Sequence, residues 1–289
     1  MDSALALQLL IQGILLGGVY GLIALGLSLI FGVMGVINFA HGQIMVMGMY
    51  ASYWIFALLG IDPYVSLVAV AAIIFILGYA IQYLVVNRIL DYPEAMQVLP
   101  LVSTGLILEN IALLLWGPDH RSPQTALGLD SIWLGPVMVD TSRIIAFSLA
   151  ILITGLIFLF LKKTTMGKRI RAASDNRTGA ILVGINVDRI NNFSFGLGAA
   201  TTAAAGCLLV PIMPISPYIA HDFTTAAFIV VILGGMGNLP GAMAGGIILG
   251  VAESLSTLVL PATLKQVVSF TLLIIIILFR PQGLFGGKK

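Results

Sequence analysis

Apolar residues in this chain run on for about twenty positions at a time, between short polar interruptions. That is the length a helix needs to cross a bilayer, not the spacing of a half-buried surface helix. The first five runs are Leu7–Phe31, Gln43–Leu59, Tyr64–Val86, Val98–Trp116 and Arg143–Leu161. A sixth is Phe193–Met213. The apolar stretch from Phe223 is split at Leu233–Gly241 into a short seventh segment and an eighth, Ala242–Leu260, and Lys265–Phe279 is the ninth. The seventh is short enough to be a re-entrant half-helix. The pattern therefore predicts an all-α fold: one polytopic transmembrane bundle over residues 1–289, of eight or nine segments with broken or re-entrant helices.

Two glycine-rich breaks interrupt these runs, GVMGVINFAHG at Gly32–Gly42 and LGGMGNLPG at Leu233–Gly241. Each leads into a helix that opens on glycine, with small residues and methionine. Transporters are often built from repeats whose broken helices meet near the membrane midplane. Chance likeness between two glycine-rich apolar segments explains the echo equally well. Glycines four residues apart (Gly13, Gly17 and Gly21; Gly241 and Gly245; Gly246 and Gly250) predict close helix packing.

Composition agrees with lipid as the main solvent: 9% charged, 59% hydrophobic, mean hydropathy +1.08. The N-terminus has Asp2 where a secretory signal would be basic, so the first segment is expected to remain as a helix. The single cysteine, Cys207, allows no internal disulfide and reads as packing. Of the 14 lysines and arginines, seven fall in one polar loop, Lys162–Asn191. Arg88, Arg280, Lys288 and Lys289 alternate onto the same side. Arg121, Arg143 and Lys265 take the other, with Asp2, Asp62, Asp119, Asp130, Asp140 and Asp222. The positive-inside rule then puts the N-terminus outside and the C-terminus in the cytoplasm.

Enzyme machinery is missing from the sequence. No phosphate-binding G-x-x-x-x-G-K-[ST] motif exists, since Gly167–Lys168 is followed by Arg169. His41, His120 and His221 have no metal-ligand spacing, so no metal site is expected. Two carboxylates, Glu109 and Glu253, fall inside spans. Each needs a partner, water or a proton there, and serves either a polar pathway or an interhelical hydrogen bond. Asn38, His41 and Gln43 in the first break, and Gly234, Gly235, Gly237 and Asn238 in the second, complete the candidate pathway. The alternative for both breaks is an ordinary turn. In the basic loop, Ile170, Ala173, Ala180, Ile181 and Val183 among charged residues predict an amphipathic helix stopped at Gly184. It would rest on lipid headgroups or dock a cytoplasmic partner.

GKRIRAASDNRTGAILVGINVDRINNFSF resembles the cytoplasmic loop of the permeases of branched-chain amino-acid ABC importers, through Gly167, Arg171, Ala172, Asn176, Ala180, Gly184 and Ile185. NFAHG at Asn38–Gly42, LGGMGNLPGAMAGG at Leu233–Gly246 and FRPQGLFG at Phe279–Gly286 are similar to the same family, in the same order. Within it the likeness is to the H-type subunit of the Leu/Ile/Val systems. The resemblance implies a subunit of an importer in the bacterial inner membrane. It implies a second homologous permease, two cytoplasmic ATP-binding subunits and a periplasmic solute-binding protein, with no nucleic acid. ATP and magnesium would bind the partner subunits and no cofactor this chain. Those seven loop residues would couple the permease to the ATPases, and Gly117–Ser142 and Ser216–Asp222 would receive the binding protein. The alternatives are an ion-coupled secondary transporter, or a permease of the same family for urea, amides or aromatic acids.

Overall fold

A computed structural model describes residues 3–123, 125, 130–134 and 137–286. Asp2, Lys288 and Lys289 of the charge pattern lie outside the described residues. Among those described are eleven α-helices: α1 (Ser3–Met34), α2 (His41–Leu59), α3 (Pro63–Leu84), α4 (Glu94–Trp116), α5 (Thr141–Lys163), α6 (Thr165–Asp175), α7 (Arg177–Leu182), α8 (Val187–Leu209), α9 (Ala220–Gly234), α10 (Leu239–Ser256) and α11 (Lys265–Phe279). Eight helices are long and apolar enough to span a membrane, and α11 is a shorter apolar helix.

The bundle is built around α1 and α8, which are buried over most of their length. Their sequences explain it. The stretch Gly196–Cys207 of α8 consists almost wholly of glycine, alanine and threonine, so neighbouring backbones come close. The larger side chains point outward instead. Val68 and Ile76 of α3, Leu99 and Leu114 of α4, and Leu152 and Leu156 of α5 are exposed, as suits helices that face lipid.

The glycine spacing does the packing expected of it. A Cβ at Gly17 would stand 2.7 Å from the Gly246 carbonyl oxygen, and one at Gly13 would stand 2.8 Å from that of Gly250. Thus α1 and α10 lie antiparallel with backbones nearly touching. Cys207 is buried, again as packing.

The polar segment Gly117–Ser142 holds a feature that the span pattern did not anticipate. Two strands, β1 (Ser131–Leu134) and β2 (Val137–Asp140), pair antiparallel with Ile132 opposite Val139. Val137 and Val139 are buried against Leu15 of α1. Alternation over only four residues on each strand is too short to stand out beside runs of twenty. Earlier in the segment, the Arg121 backbone exchanges hydrogen bonds with Ile215 at 2.9 and 2.8 Å.

Candidate translocation and coupling sites

The first break is narrower than its sequence suggested. Helix α1 continues to Met34, and the chain is non-helical only over residues 35–40. It turns at Gly35, whose φ of +69° suits glycine, and runs back along α1. His41, the first residue of α2, places Nε2 2.9 Å from the Ile23 carbonyl oxygen. Ile23 lies eleven residues before the end of α1, about 16 Å along the axis at 1.5 Å per residue. Gly105, midway along α4, faces Ala40 and Gln43. The break is therefore no ordinary turn: it carries the start of α2 to the middle of the bundle.

Helix α9 begins at the same depth. The Gly42 amide donates to Thr224 Oγ1 at 3.0 Å, and a side chain at Gly42 would strike the Ala220 carbonyl. Phe39 packs on Phe228, with centroids 5.1 Å apart. At 15 residues, α9 is about 22 Å long and reaches spanning length only together with the helical turn Pro217–Ile219 before it. It is the short segment that the sequence suggested, with its start at Ala220 rather than Phe223. Two helix N-termini, with their partial positive charge, thus converge inside the bundle.

The polar groups there are incompletely satisfied. Asn38 Oδ1 accepts from the Ala40 amide at 3.1 Å, while Nδ2 is buried without a partner. Thr202 Oγ1 donates to the Gly198 carbonyl, so at 2.9 Å from His41 Nε2 it can only accept. Nε2 therefore carries the proton, and buried Nδ1 has no partner. Gln43 Oε1 is the third orphan. Three such atoms within six residues are unusual, because an unpartnered buried polar group costs about 1–3 kcal/mol.

The two intramembrane carboxylates have different surroundings. Glu109 Oε2 is 3.0 Å from Nε2 of His221, at the start of α9, though the ring is not aligned for a hydrogen bond. His221 is well exposed. Its spacing in sequence gave no hint of this pairing, because 112 residues separate the two. Glu253 is 7% exposed and sits among α1, α10 and α11. It accepts from Tyr20 Oη at 3.1 Å and Ser269 Oγ at 2.6 Å. It fastens α11 to the bundle and is not brought to the break.

The basic loop forms two helices where one was expected. Thr164 caps α6 through the Gly167 amide at 3.0 Å, and Asn176 ends α6 and caps α7 through the Gly179 amide at 2.8 Å. Gly184 stops α7 as its sequence predicted. At φ +79° it takes the left-handed cap position, with Gly184 N–H to Ile181 O and Ile185 N–H to Ala180 O, both at 3.0 Å. Ile170, Ala173 and Ala180 are buried, but Ile181 and Val183 are not: with Leu182 they are 55%, 75% and 82% exposed. The expected amphipathic face breaks there because Asn176 redirects the second helix. Of the seven loop residues named from sequence, Gly167 and Ala180 are buried, Ala172 and Ile185 are half-buried, and Gly184 shapes the turn. Arg171 and Asn176 are exposed, and Asn176 spends its carboxamide as a cap. The apolar knob Ile181–Leu182–Val183 was the missed feature. Its signal was three large apolar residues in a row just before a glycine stop.

The loop is joined to the breaks. Ser174 Oγ of α6 donates to the Gly32 carbonyl at the end of α1. A Cβ at Gly32 would stand 3.3 Å from Gly237 Cα in the second break. Asn238 Oδ1 caps α10 through the Gly241 amide at 3.1 Å, while its Nδ2 donates to the Phe285 carbonyl at 2.6 Å. Gly234 and Gly241 pack backbone to backbone, and Gly235 lies against Gly283 of the terminal segment. The loop, the second break and the C-terminal motif thus form one contiguous structure at the end of α1.

Residues 9–277 match the family described as branched-chain amino acid transport system / permease component. The chain belongs to that family. Among its relatives is the high-affinity branched-chain amino acid transport system permease protein LivH of Salmonella typhimurium, 35% identical across 98% of this chain and 96% of the relative. BraD of Pseudomonas aeruginosa, named as the corresponding permease protein, is 32% identical with the same coverage. A probable branched-chain amino acid transport permease protein of Methanocaldococcus jannaschii is 29% identical across 92% of this chain and 88% of the relative. A helical bundle with eight candidate spans is the architecture such a membrane permease component needs.

Proposed function

We propose that this chain is a transmembrane permease subunit of an ATP-driven importer of branched-chain or related amino acids. It works with a second homologous permease, two ATP-binding subunits and a periplasmic solute-binding protein. ATP and magnesium belong to the ATP-binding subunits. The chain sits in the bacterial inner membrane with its N-terminus outside and the Lys162–Asn191 loop and C-terminus in the cytoplasm.

The observation that carries the reading is the meeting of the α2 and α9 N-termini at mid-depth, beside Glu109 and His221. A zwitterionic amino acid needs a site for its carboxylate and one for its ammonium. Helix N-termini and His221 suit the first, Glu109 the second. Asn38, His41 and Gln43 supply further donors and acceptors once the bundle opens. Gly234, Gly235, Gly237 and Asn238 shape the joint next to Gly32 rather than contact solute. Glu253 stands outside this pathway, because two hydroxyls on α1 and α11 already hold it.

Coupling runs through the basic loop. The ATPases grip the Ile181–Val183 knob, while Gly167, Arg171, Ala172, Asn176, Ala180, Gly184 and Ile185 give that surface its charge and shape. Movement of α6 pulls on Gly32 through Ser174 and is passed to the break that follows it. On the opposite face, the binding protein docks on Gly117–Ser142. The hydrogen bonds at Arg121 carry its contact to the 210–216 connection and so to α9. Within Ser216–Asp222, Tyr218 is exposed and precedes the mid-depth start of α9, so it is the residue placed to take part. The test is uptake of labelled leucine into proteoliposomes holding all the subunits. Uptake should need internal ATP and the binding protein; uptake persisting without the ATPases overturns the proposal.

A further inference from the structure

A cavity of about 1240 Å³ lies between the end of α1, the end of α5, α6, the second break and the C-terminal segment. It is separate from the α2–α9 meeting point. Its walls are apolar: Leu29 and Val33 of α1, Phe158 and Leu159 of α5, and Ile232 of α9. It reaches back to Gly155, eight residues before the end of α5, or about 12 Å into the hydrocarbon. Apart from the backbone of α5 itself, nothing lies within 4 Å of where a Cβ on Gly155 would be, so this wall faces open space. The adjoining face of α5 exposes Ile151, Leu152, Leu156 and Leu159. That is a lipid-facing surface, and the cavity opens through it.

The rim is cationic. Lys162 and Arg171 line it, both exposed. The ion pairs among the described residues involve Arg143, Arg177 and His221, so neither rim cation is matched. Asp175 is the one acidic residue lining the cavity, which leaves a net single positive charge. Deeper in, the Ser28 hydroxyl is fully buried without a partner. An apolar slot at acyl depth with two unmatched cations at headgroup level matches one chemistry, an anionic phospholipid.

We infer that the cavity holds one anionic phospholipid of the leaflet bordering the basic loop. Its phosphate lies on Lys162 and Arg171, and an acyl chain runs between α1 and α5 to Gly155. The lipid touches α6 directly, so the loop senses the membrane it works in. This does not depend on which solute is carried, and its test reads lipid binding without transport.

The full chain, purified in mild detergent, is offered phosphatidylglycerol and phosphatidylcholine of matched acyl length, and bound lipid is counted by native mass spectrometry. One phosphatidylglycerol should be retained in preference to phosphatidylcholine. Lys162→Ala should cut that preference about fivefold, the loss of one interfacial cation. Gly155→Trp should fill the slot and abolish retention, and Gly155→Leu should weaken it, both with an unchanged melting temperature in phosphatidylcholine. Equal retention of the two lipids, or full retention by Gly155→Trp, overturns the inference. So does displacement by millimolar inorganic phosphate, which would make free phosphate the ligand. Protection of Gly155→Cys from lipid-phase alkylation only when the ATPases are bound would assign the cavity to them and also overturn it.

Discussion

The α1–α10 seam and the α2–α9 meeting point lie in the same bundle and both pack backbone against glycine, but they treat polar groups in opposite ways. Along the seam, Gly13, Gly17 and Gly21 face Met243, Gly246 and Gly250 with backbones in contact. Those residues bring no polar side-chain atom into the seam. At the meeting point, Asn38, His41 and Gln43 each leave a polar atom unpartnered, and Glu109 touches His221 without an aligned hydrogen bond. A seam that interlocks by backbone at three successive glycines has one good arrangement, and a small shift costs many contacts at once. Regions with unmet hydrogen-bonding groups gain from rearrangement, water or solute. The contrast divides the permease into a frame, α1 with α10, and a part suited to move, α2 with α9.

The largest expected effect breaks the frame. Gly246→Leu drives a side chain into the backbone of Gly21 and should cost about 3 kcal/mol, read as a lower melting temperature and little protein in the membrane. Next comes the movable part. Glu109→Gln should lower uptake roughly tenfold, the equivalent of about 1.4 kcal/mol. Its melting temperature should scarcely move, since the partner it loses, His221, is well exposed. A large loss of stability there would erase the distinction between the regions.

Smaller effects sharpen it. Gly184→Ala puts a methyl on a left-handed residue and should cost about 1–2 kcal/mol, with weaker ATPase binding because the knob is turned. Gln43→Met removes an orphan carbonyl and should leave stability unchanged or raise it by about 1 kcal/mol, while uptake falls. Leu182→Ser with Val183→Ser touches only exposed side chains, so stability should hold within about 0.5 kcal/mol. Co-purification of the ATPases should be lost all the same. If the ATPases still bind, the knob is not their contact.

The spans were legible because a helix in lipid must satisfy its own backbone and needs about twenty apolar residues to do it. That constraint is local, so it is written in consecutive residues. The Gly184 stop and the glycine spacing were legible for the same reason: each depends on a few neighbours along one helix. The pairing of residues 131–134 with 137–140 and the splitting of the basic loop at Asn176 were not, since both are small local choices with weak patterns.

What only the tertiary structure decided is pairing and depth. Sequence named Glu109 and Glu253 alike as intramembrane carboxylates. The fold gave one an imidazole 112 residues away and the other two hydroxyls, one of them 233 residues distant. The residues Asn38–Gln43 were marked as a polar break, and their hydrogen bond to Ile23 showed that the break returns to mid-bundle. Composition dictates that a chain partition into lipid, because transfer energies add residue by residue. It does not dictate which polar groups meet inside, because that depends on how helices far apart in sequence pack against one another.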